Sequence, residues 1–443
     1  MAPSNLRNEV PAIQTATPAS DLKHTRRALA WMVFVALALR LAVMAFVYPA
    51  ALNPARDHWR FGGETGRIAR SVAEGKGYSS PYFGDTGPTA WLAPVFPLLL
   101  AGVFKIFGVY TKASALAILS FDCLLSALTC IPVFLIARRT FDERAALWAG
   151  WIWAFFPYSI NFATSFIWDT TLSTLLMALL FLLALKLEDA PRWKWWFGFG
   201  ALAGVTALSD PVTLSVAPFL SLWLLYRYWK RRERWFAPGA AALVAVILVV
   251  SPWFVRNYRT FHKFIPLRSG FWFELYCGNN ADSWHWDPPG YHPSDSAREW
   301  RQYQQLGETG YMALKKEQAL AFIRAHKALY AAQSLRRVVY IWTGFWSFSR
   351  RYLQQEPADP ANVVFCTALT IFAFFGLRRA WREAGAEHAM LYVIAFFFFP
   401  LVYYITHPED YYRRPLDPMM VALAAGAITF WRSKRHPAGT TED

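Results

Sequence analysis

Cysteine is scarce in this chain. Four occur among 443 residues; Cys123, Cys130 and Cys366 fall in apolar runs and Cys277 stands alone in a loop. That excludes a disulfide framework, and no ligand spacing of the zinc type is present. Charge is scarce too, at 17% of residues, with 30 acidic side chains against 45 basic ones. No internal repeat of the kind that builds many transporters is evident. A cleavable signal is also missing: residues 1–25 are polar and rich in Ala, Pro, Ser and Thr, which reads as a disordered cytoplasmic tail.

Apolar and aromatic surface is what the chain has in excess. It is 55% hydrophobic and 18% aromatic and carries 22 Trp, far more than a soluble core of this length needs. The apolar residues come in runs at 28–48, 113–137, 146–163, 170–187, 238–255, 361–377, 389–405 and 416–431. Each is about long enough to cross a bilayer, which takes ~17–25 helical residues. The expected fold class is therefore an all-α polytopic integral membrane protein. The net charge of +15 does not point to nucleic acid, because it punctuates the apolar runs. Clusters at Lys23, Arg26 and Arg27; Arg138, Arg139 and Arg144; Lys186, Arg192 and Lys194; 227–234; Arg378, Arg379 and Arg382; and Arg432, Lys434 and Arg435 make sense as cytoplasmic loops under the positive-inside rule.

The stretch 61–78, FGGETGRIARSVAEGKGY, follows the first apolar run and is unlike a simple connection. Ile68 and Val72 share one helical face while Arg67, Arg70 and Glu74 take the other, so 65–74 is expected as a short helix lying on the membrane surface. Gly62 and Gly63 would open it and Gly75 close it. Glu64 then sits in the first turn, where the helix dipole favours its ionised form by roughly 0.3–1 kcal/mol, as suits a base. Spacing alone equally allows Glu64 only to cap its helix or pair with Arg67.

Segment 89–107 carries Pro94 and Pro97 and raises a parity problem. If both it and 111–137 cross, Arg138 and Arg139 land on the outside, against the rule that places the other clusters. Either 89–107 is re-entrant or tilted, or one basic cluster lies on the unexpected side. Farther on, 256–359 is mostly soluble in character, with a Pro, Gly and Trp-rich patch at 284–293 and helical spacing at 297–306 and 311–330. It reads as an outer-face cap, not an independent domain. The expected organisation is a tail at 1–25, a transmembrane module at 26–256 with its first outer loop at 49–88, a cap at 257–360, further spans at 361–431 and a cytoplasmic tail at 432–443.

On this topology one face collects Glu64, Asp169, Asp210, Arg256, Arg259, His262, His407, Glu409, Asp410, Arg413 and Arg414. Ionisable groups at a membrane boundary usually face a cavity or a partner. Carboxylates there could act as general bases and arginines could hold a phosphate, a mix that suits group transfer from a phosphate-linked donor. Blander readings stand beside it: Arg256 and Arg259 as headgroup contacts, Asp210 as a turn residue before Pro211, Asp169 as a helix cap. His262 and His407 have no metal-type spacing, and Arg40 and Asp122, both inside apolar runs, are expected to pair with each other or snorkel.

Several segments together resemble the polyprenyl-phosphate-dependent glycosyltransferases of the GT-C fold, namely glycosyltransferase family 39 with the protein O-mannosyltransferases and lipid A aminoarabinose transferases. They are ETGRIARSVAEGKGY at 64–78, TGPTAWLAPVFPLLLAGVFKIFG at 86–108, RRTFDERAALWAG at 138–150, PWFVRNYRTFHKFIPL at 252–267, GNN at 278–280 and YYRRPLDPMM at 411–420. The likeness runs from the first span to about Asn280 and resumes at 411–425. Order and spacing carry it, more than any one piece.

The resemblance implies about ten or eleven transmembrane helices with a helical cap, and an inverting sugar transfer from a polyprenyl-phosphate donor to a lipid, glycan or protein acceptor. It implies that the site faces outward from an inner membrane, with the amino terminus cytoplasmic. Glu64 takes the acceptor-side carboxylate role and Asp169 matches a second acid. Arg256 and Arg413 fall in motifs that hold the donor phosphate, with Arg67, Arg70 and Arg414 around them; Asp210, Arg259 and His407 are expected in the cavity. Relatives carry an Asp-Glu pair where Gly62 and Gly63 precede Glu64 here, which leaves Asp57 and Asp85 as alternatives. No cofactor is specified and a divalent metal stays open. Competing classes are a transporter or flippase of a lipid-linked substrate and a noncatalytic envelope scaffold.

Overall fold

The computed structural model describes residues 19–54, 61–189, 192–283, 291–345, 347–355, 359–409 and 411–435. Asp57 and Asp410 lie outside them. All eight apolar runs are mostly helical. The first is α1 (Ala19–Phe46), which leads to a short helix, α2 (Glu64–Ala73), close to the expected 65–74.

Next comes α3 (Val95–Phe107), followed by α4 (Lys112–Leu128) and α5 (Cys130–Thr140), which read as one 29-residue apolar span. Thr111 and Ser114 each accept a backbone N–H of the other at 3.0 Å, a capping box that starts α4. The turn after α3 brings Tyr110 back to Phe61 at 5.4 Å, and Phe104 lies 5.4 Å from the same ring. The end of α3 therefore comes back to the start of α2 and packs beside it. At 13 residues α3 is shorter than a full crossing takes, in keeping with the re-entrant or tilted alternative.

The chain returns through α6 (Glu143–Phe155) and α7 (Pro157–Ser165), separated by extended Phe156. Pro157 has no N–H to give the Trp153 carbonyl four residues earlier; that carbonyl takes the Phe156 N–H at 3.2 Å, and Arg40 adds to it. It donates to the Trp153 and Ala154 carbonyls at 3.3 and 3.0 Å and to the Ser126 and Ser159 hydroxyls at 2.8 and 2.9 Å. Arg40 is thus occupied by the helix break and not by Asp122, whose buried carboxylate oxygens have no hydrogen-bond partner among the described residues. The expected Arg40–Asp122 pair does not form.

Then follow α8 (Thr170–Leu187), α9 (Trp193–Ser209), α10 (Ala217–Lys230) and α11 (Phe236–Phe261). The cap is built from α12 (Phe271–Gly278), α13 (Ala297–Ala325) kinked at Gly307, α14 (Lys327–Thr343) and α15 (Arg350–Gln355). Three elements return to the bundle, α16 (Asp359–Glu383), the pair α17 (Ala386–Phe398) and α18 (Leu401–Ile405), and α19 (Asp417–Arg435). Among the described residues six spans are long and apolar enough to cross a membrane, and the shorter helices run among them.

The two ends of the bundle differ in chemistry. At one end the basic clusters gather with a few acids: Arg139 with Asp189 at 2.6 Å, Arg227 with Glu188 at 2.6 Å and Glu387 at 2.9 Å, Arg379 with Glu383 at 2.7 Å. Thr25 near the start of α1 reaches Glu143 at 2.9 Å and belongs to the same end. The cap covers the opposite end, where α2 is buried along most of its length, Arg67 included. It does not lie on a membrane surface, because cap segments cover its polar face.

Two side chains tie the cap and the first loop to the bundle. Arg256, at the end of α11, donates to the Thr89 carbonyl at 2.6 Å and the Tyr78 carbonyl at 2.7 Å. Glu308 on α13 is buried and accepts from the Ala90 N–H at 2.8 Å, Ser269 Oγ at 2.7 Å, Tyr303 Oη at 3.0 Å and the Thr89 hydroxyl. Glu308→Ala would strand these four donors, and at about 1–3 kcal/mol for each buried unsatisfied group the protein should lose at least ~3 kcal/mol. Thermal unfolding in detergent measures this; an unchanged melting temperature would mean that the carboxylate holds nothing.

Candidate active site

The capped end encloses a cavity of about 750 Å³. Its wall comes from the starts of α2, α3 and α8, the α9–α10 turn, the cap, and the loop between α18 and α19. Of the residues expected in a site, Glu64, Arg67, Asp169, Asp210, His407 and Glu409 line it. Arg70, Arg256, Arg259, His262, Arg413 and Arg414 do not.

Glu64 opens α2 after two glycines in the left-handed region, Gly62 at φ 77° and Gly63 at φ 55°. A Cβ on Gly62 would fall 2.3 Å from the Ile167 carbonyl. Only glycine lets the first loop approach the α7–α8 link, and that link carries Asp169. Gly62, one of the two glycines that precede the lone Glu64, therefore has a packing role of its own. The principal partner of Glu64 is His292, with Nε2 at 2.8 Å from Oε1. Burial alone would raise the carboxyl's pKa, but His292 and then Arg67 hold it below the usual carboxylate range. Arg67 donates to the Pro81 carbonyl at 3.2 Å and Ser294 Oγ at 3.0 Å, and lies 4.2 Å over the Phe83 ring. It borders Glu64 without bridging to it.

Asp169 occupies the N-cap position of α8, yet its side chain makes no capping bond. Its carboxyl is pushed up to about 7, first by burial and then by Asp210, against the pull of Arg268. Asp210 does cap: its Oδ1 accepts the Val212 N–H at 3.0 Å. Burial raises it too, with that bond and Arg268 opposing. Arg268 pairs with Glu274 at 3.5 Å, and His407 stands 3.4 Å from Glu274 and 3.7 Å from Glu409. Burial holds the His407 imidazole below its ordinary value despite Glu274.

The expected phosphate-binding arginines are engaged elsewhere. Arg413 pairs with Asp417 at 3.1 Å and donates to the Trp342 carbonyl at 3.1 Å; Arg414 pairs with Asp417 at 2.7 Å and packs on Tyr158. These fasten the start of α19 into the bundle. Arg256 fastens the first loop. The cations on the cavity wall, besides Arg67, are Arg268, Arg336 and Arg337, and Arg337 also donates to the Tyr404 and Ile405 carbonyls at 3.3 and 3.1 Å.

Sequence reasoning passed over these three and His292. Arg268 sits five residues beyond Lys263 in a run of mixed character, and the Arg336-Arg337 pair resembles any basic helix face. His292 lies within the Pro, Gly and Trp-rich patch at 284–293, which reads as a loop and gives its histidine no distinguishing signal. Among the described residues no group of three His, Cys, Asp or Glu side chains is arranged to hold a metal. Asp85 accepts from the Gly87 N–H at 3.2 Å in a local turn and does not line the cavity.

The fold and the cavity define a polytopic, all-helical membrane protein of GT-C type. Residues 91–255 match the family described as dolichyl-phosphate-mannose-protein mannosyltransferase. No curated protein matches the chain. Among solved structures it is similar to the oligosaccharyltransferase AglB of Archaeoglobus fulgidus in complex with an inhibitory peptide and a dolichol-phosphate, at 14% identity and a TM-score of 0.52, covering 96% of this chain and 53% of that one. The same enzyme tethered to an acceptor peptide matches at 15% identity and a TM-score of 0.51, covering 93% and 50%. ArnT from Cupriavidus metallidurans bound to undecaprenyl phosphate also matches, at 15% identity over 91% of this chain and 81% of that one, but its TM-score of 0.38 bears no argument. The chain spans about half the length of AglB.

The raised pKa of Asp169 has a sign. Its folded value of about 7 exceeds the ordinary 3.8, so the folded state holds the proton more tightly. Stability is then highest below the ordinary value and falls as pH rises toward 7. Asp169→Asn should gain on wild type in melting temperature between pH 5 and pH 8. A constant difference across that range would show that the charge carries no cost.

Proposed function

We propose that this protein is a membrane glycosyltransferase that moves a sugar from a polyprenyl-phosphate donor to an acceptor hydroxyl, inverting the anomeric centre. The observation that carries the reading is one cavity holding a carboxylate kept ionised, Glu64, together with the guanidinium of Arg268. The match of 91–255 to a dolichyl-phosphate-mannose family and the dolichol-phosphate held by AglB support a lipid phosphate as the leaving group. Basic clusters at the far end support a cytoplasmic placement of that end and an extracytoplasmic cavity in an inner membrane.

The mechanism follows from the leaving group. The acceptor oxygen attacks the anomeric carbon as the bond to the phosphate oxygen breaks, and the electron pair leaves with the lipid phosphate. That anion is weakly basic, so it needs charge stabilisation more than a proton. Arg268, with Arg336, takes the cradle role for which the motifs had pointed to Arg256, Arg413 and Arg414; Arg337, like Arg256, is committed to backbone carbonyls. The acceptor proton passes to Glu64, whose ionised state suits a base. Asp169 and Asp210 lie on the same wall, where a partly protonated carboxyl can accept from or donate to sugar hydroxyls.

Purified protein incubated with a panel of polyprenyl-phosphate sugars and envelope acceptors, with products read by mass spectrometry, tests the reading. Glu64→Gln should lower turnover by at least ~100-fold, as expected for loss of a general base, with its melting temperature kept; full turnover would move the role elsewhere. Arg268→Ala should weaken donor binding by about tenfold or more, in line with a lost charge-assisted contact. Arg413→Ala should lower the melting temperature and leave donor affinity in the surviving fold unchanged. The reverse pattern would return the phosphate to the α19 motif.

A further inference from the structure

His292 is held more firmly than a loop histidine needs to be. Its Nδ1 accepts the Ser294 N–H at 3.1 Å, so the ring proton sits on Nε2, facing Glu64 Oε1 at 2.8 Å. Three rings stand edge-on around the imidazole: Tyr82 at 5.4 Å, Phe273 at 5.5 Å and Trp91 at 6.2 Å. They come from the first loop and from α12, so two elements fix the ring plane. The same short segment supplies Ser294 Oγ to Arg67, one helical turn beyond Glu64. The loop therefore grips both charged residues of the α2 start. The carboxylate also takes a hydrogen bond from its own backbone N–H, and among the described residues His292 is the one side chain paired with it.

Resting on the reading of Glu64 as the base, we propose that His292 is its positioning residue: it binds one carboxylate oxygen, keeps the group charged, and leaves the other oxygen to meet the acceptor hydroxyl. A neutral imidazole N–H does this without giving up its own proton, so the acceptor proton ends on Glu64 and the balance of the transfer step is unchanged. The other ionisable groups around the pair are Arg67 on α2, Tyr82 in the first loop, Glu274 on α12 and Asp295 in the same loop as His292. Against burial, Glu64 first and then Asp295 and Glu274 push the imidazole's pKa above its ordinary value, and the Ser294 N–H aimed at Nδ1 opposes a second proton there.

The test compares His292→Leu, which removes the donor, with His292→Gln, which keeps an N–H at similar reach. Two readouts are taken on the full-length protein in detergent: the infrared carbonyl band of protonated Glu64, identified by its loss in Glu64→Gln, and kcat and KM for transfer across pH. In His292→Leu the Glu64 titration midpoint should rise by about one pH unit or more, as expected when a hydrogen bond to the charged form is lost. Its kcat should fall about tenfold at neutral pH, the worth of one such bond, with KM within about twofold. His292→Gln should hold the midpoint and restore most of kcat. An unmoved midpoint in His292→Leu, or equal losses in the two variants, overturns the proposal. Wild-type turnover in Glu64→Gln would instead remove the base reading itself, a result distinct from any failure of the infrared shift.

Discussion

Charge next to a hydrocarbon solvent must be matched or it is too costly to keep, and this one constraint organises the molecule. At the basic end the matching is direct: Arg227 sits between Glu188 and Glu387, and Arg139 meets Asp189. These pairs close on themselves. At the capped end the charges face a cavity instead. Asp169 and Asp210 share the cavity wall with Arg268, which pairs with Glu274. Charged groups on that wall border open space, where a substrate's polar groups can meet them.

Within the bundle the same constraint explains side chains that have no part in chemistry. Arg40 lies among apolar helices where the chain breaks before Pro157, and its guanidinium donates to the carbonyls and hydroxyls gathered there. Asp417 lies buried because two neighbouring arginines converge on it. A break in one helix and the start of another are each fastened by a guanidinium, and the spans can then pack closely around fixed points.

Much of this was legible from the residues. The eight apolar runs are mostly helical, the Gly-Gly and Gly75 signals bounded α2 to within a residue, and Glu64, Asp169 and Asp210 came together from distant parts of the chain. Periodicity and composition report such features because each depends on neighbours in sequence. The arginines did not yield to the same reasoning. Arg256, Arg413 and Arg268 look alike at span ends, and only the packing decides that the first two turn inward to carbonyls and Asp417 while the third faces the cavity. His292 was hidden for a like reason: its partner lies more than two hundred residues away, and no local pattern announces a contact of that range. The short α3 was ambiguous because a 13-residue apolar helix is compatible with crossing or with turning back, and the return of Tyr110 to Phe61 is a tertiary fact.

The two ends of the bundle also differ in what can reach them. The start of α1 and the later turns of α19 lie beside the same basic girdle, where Arg379 reaches the Gly426 carbonyl at 2.6 Å and Thr25 reaches Glu143. Anything that grips either of these helices there meets the protein from behind, on the face away from the cavity.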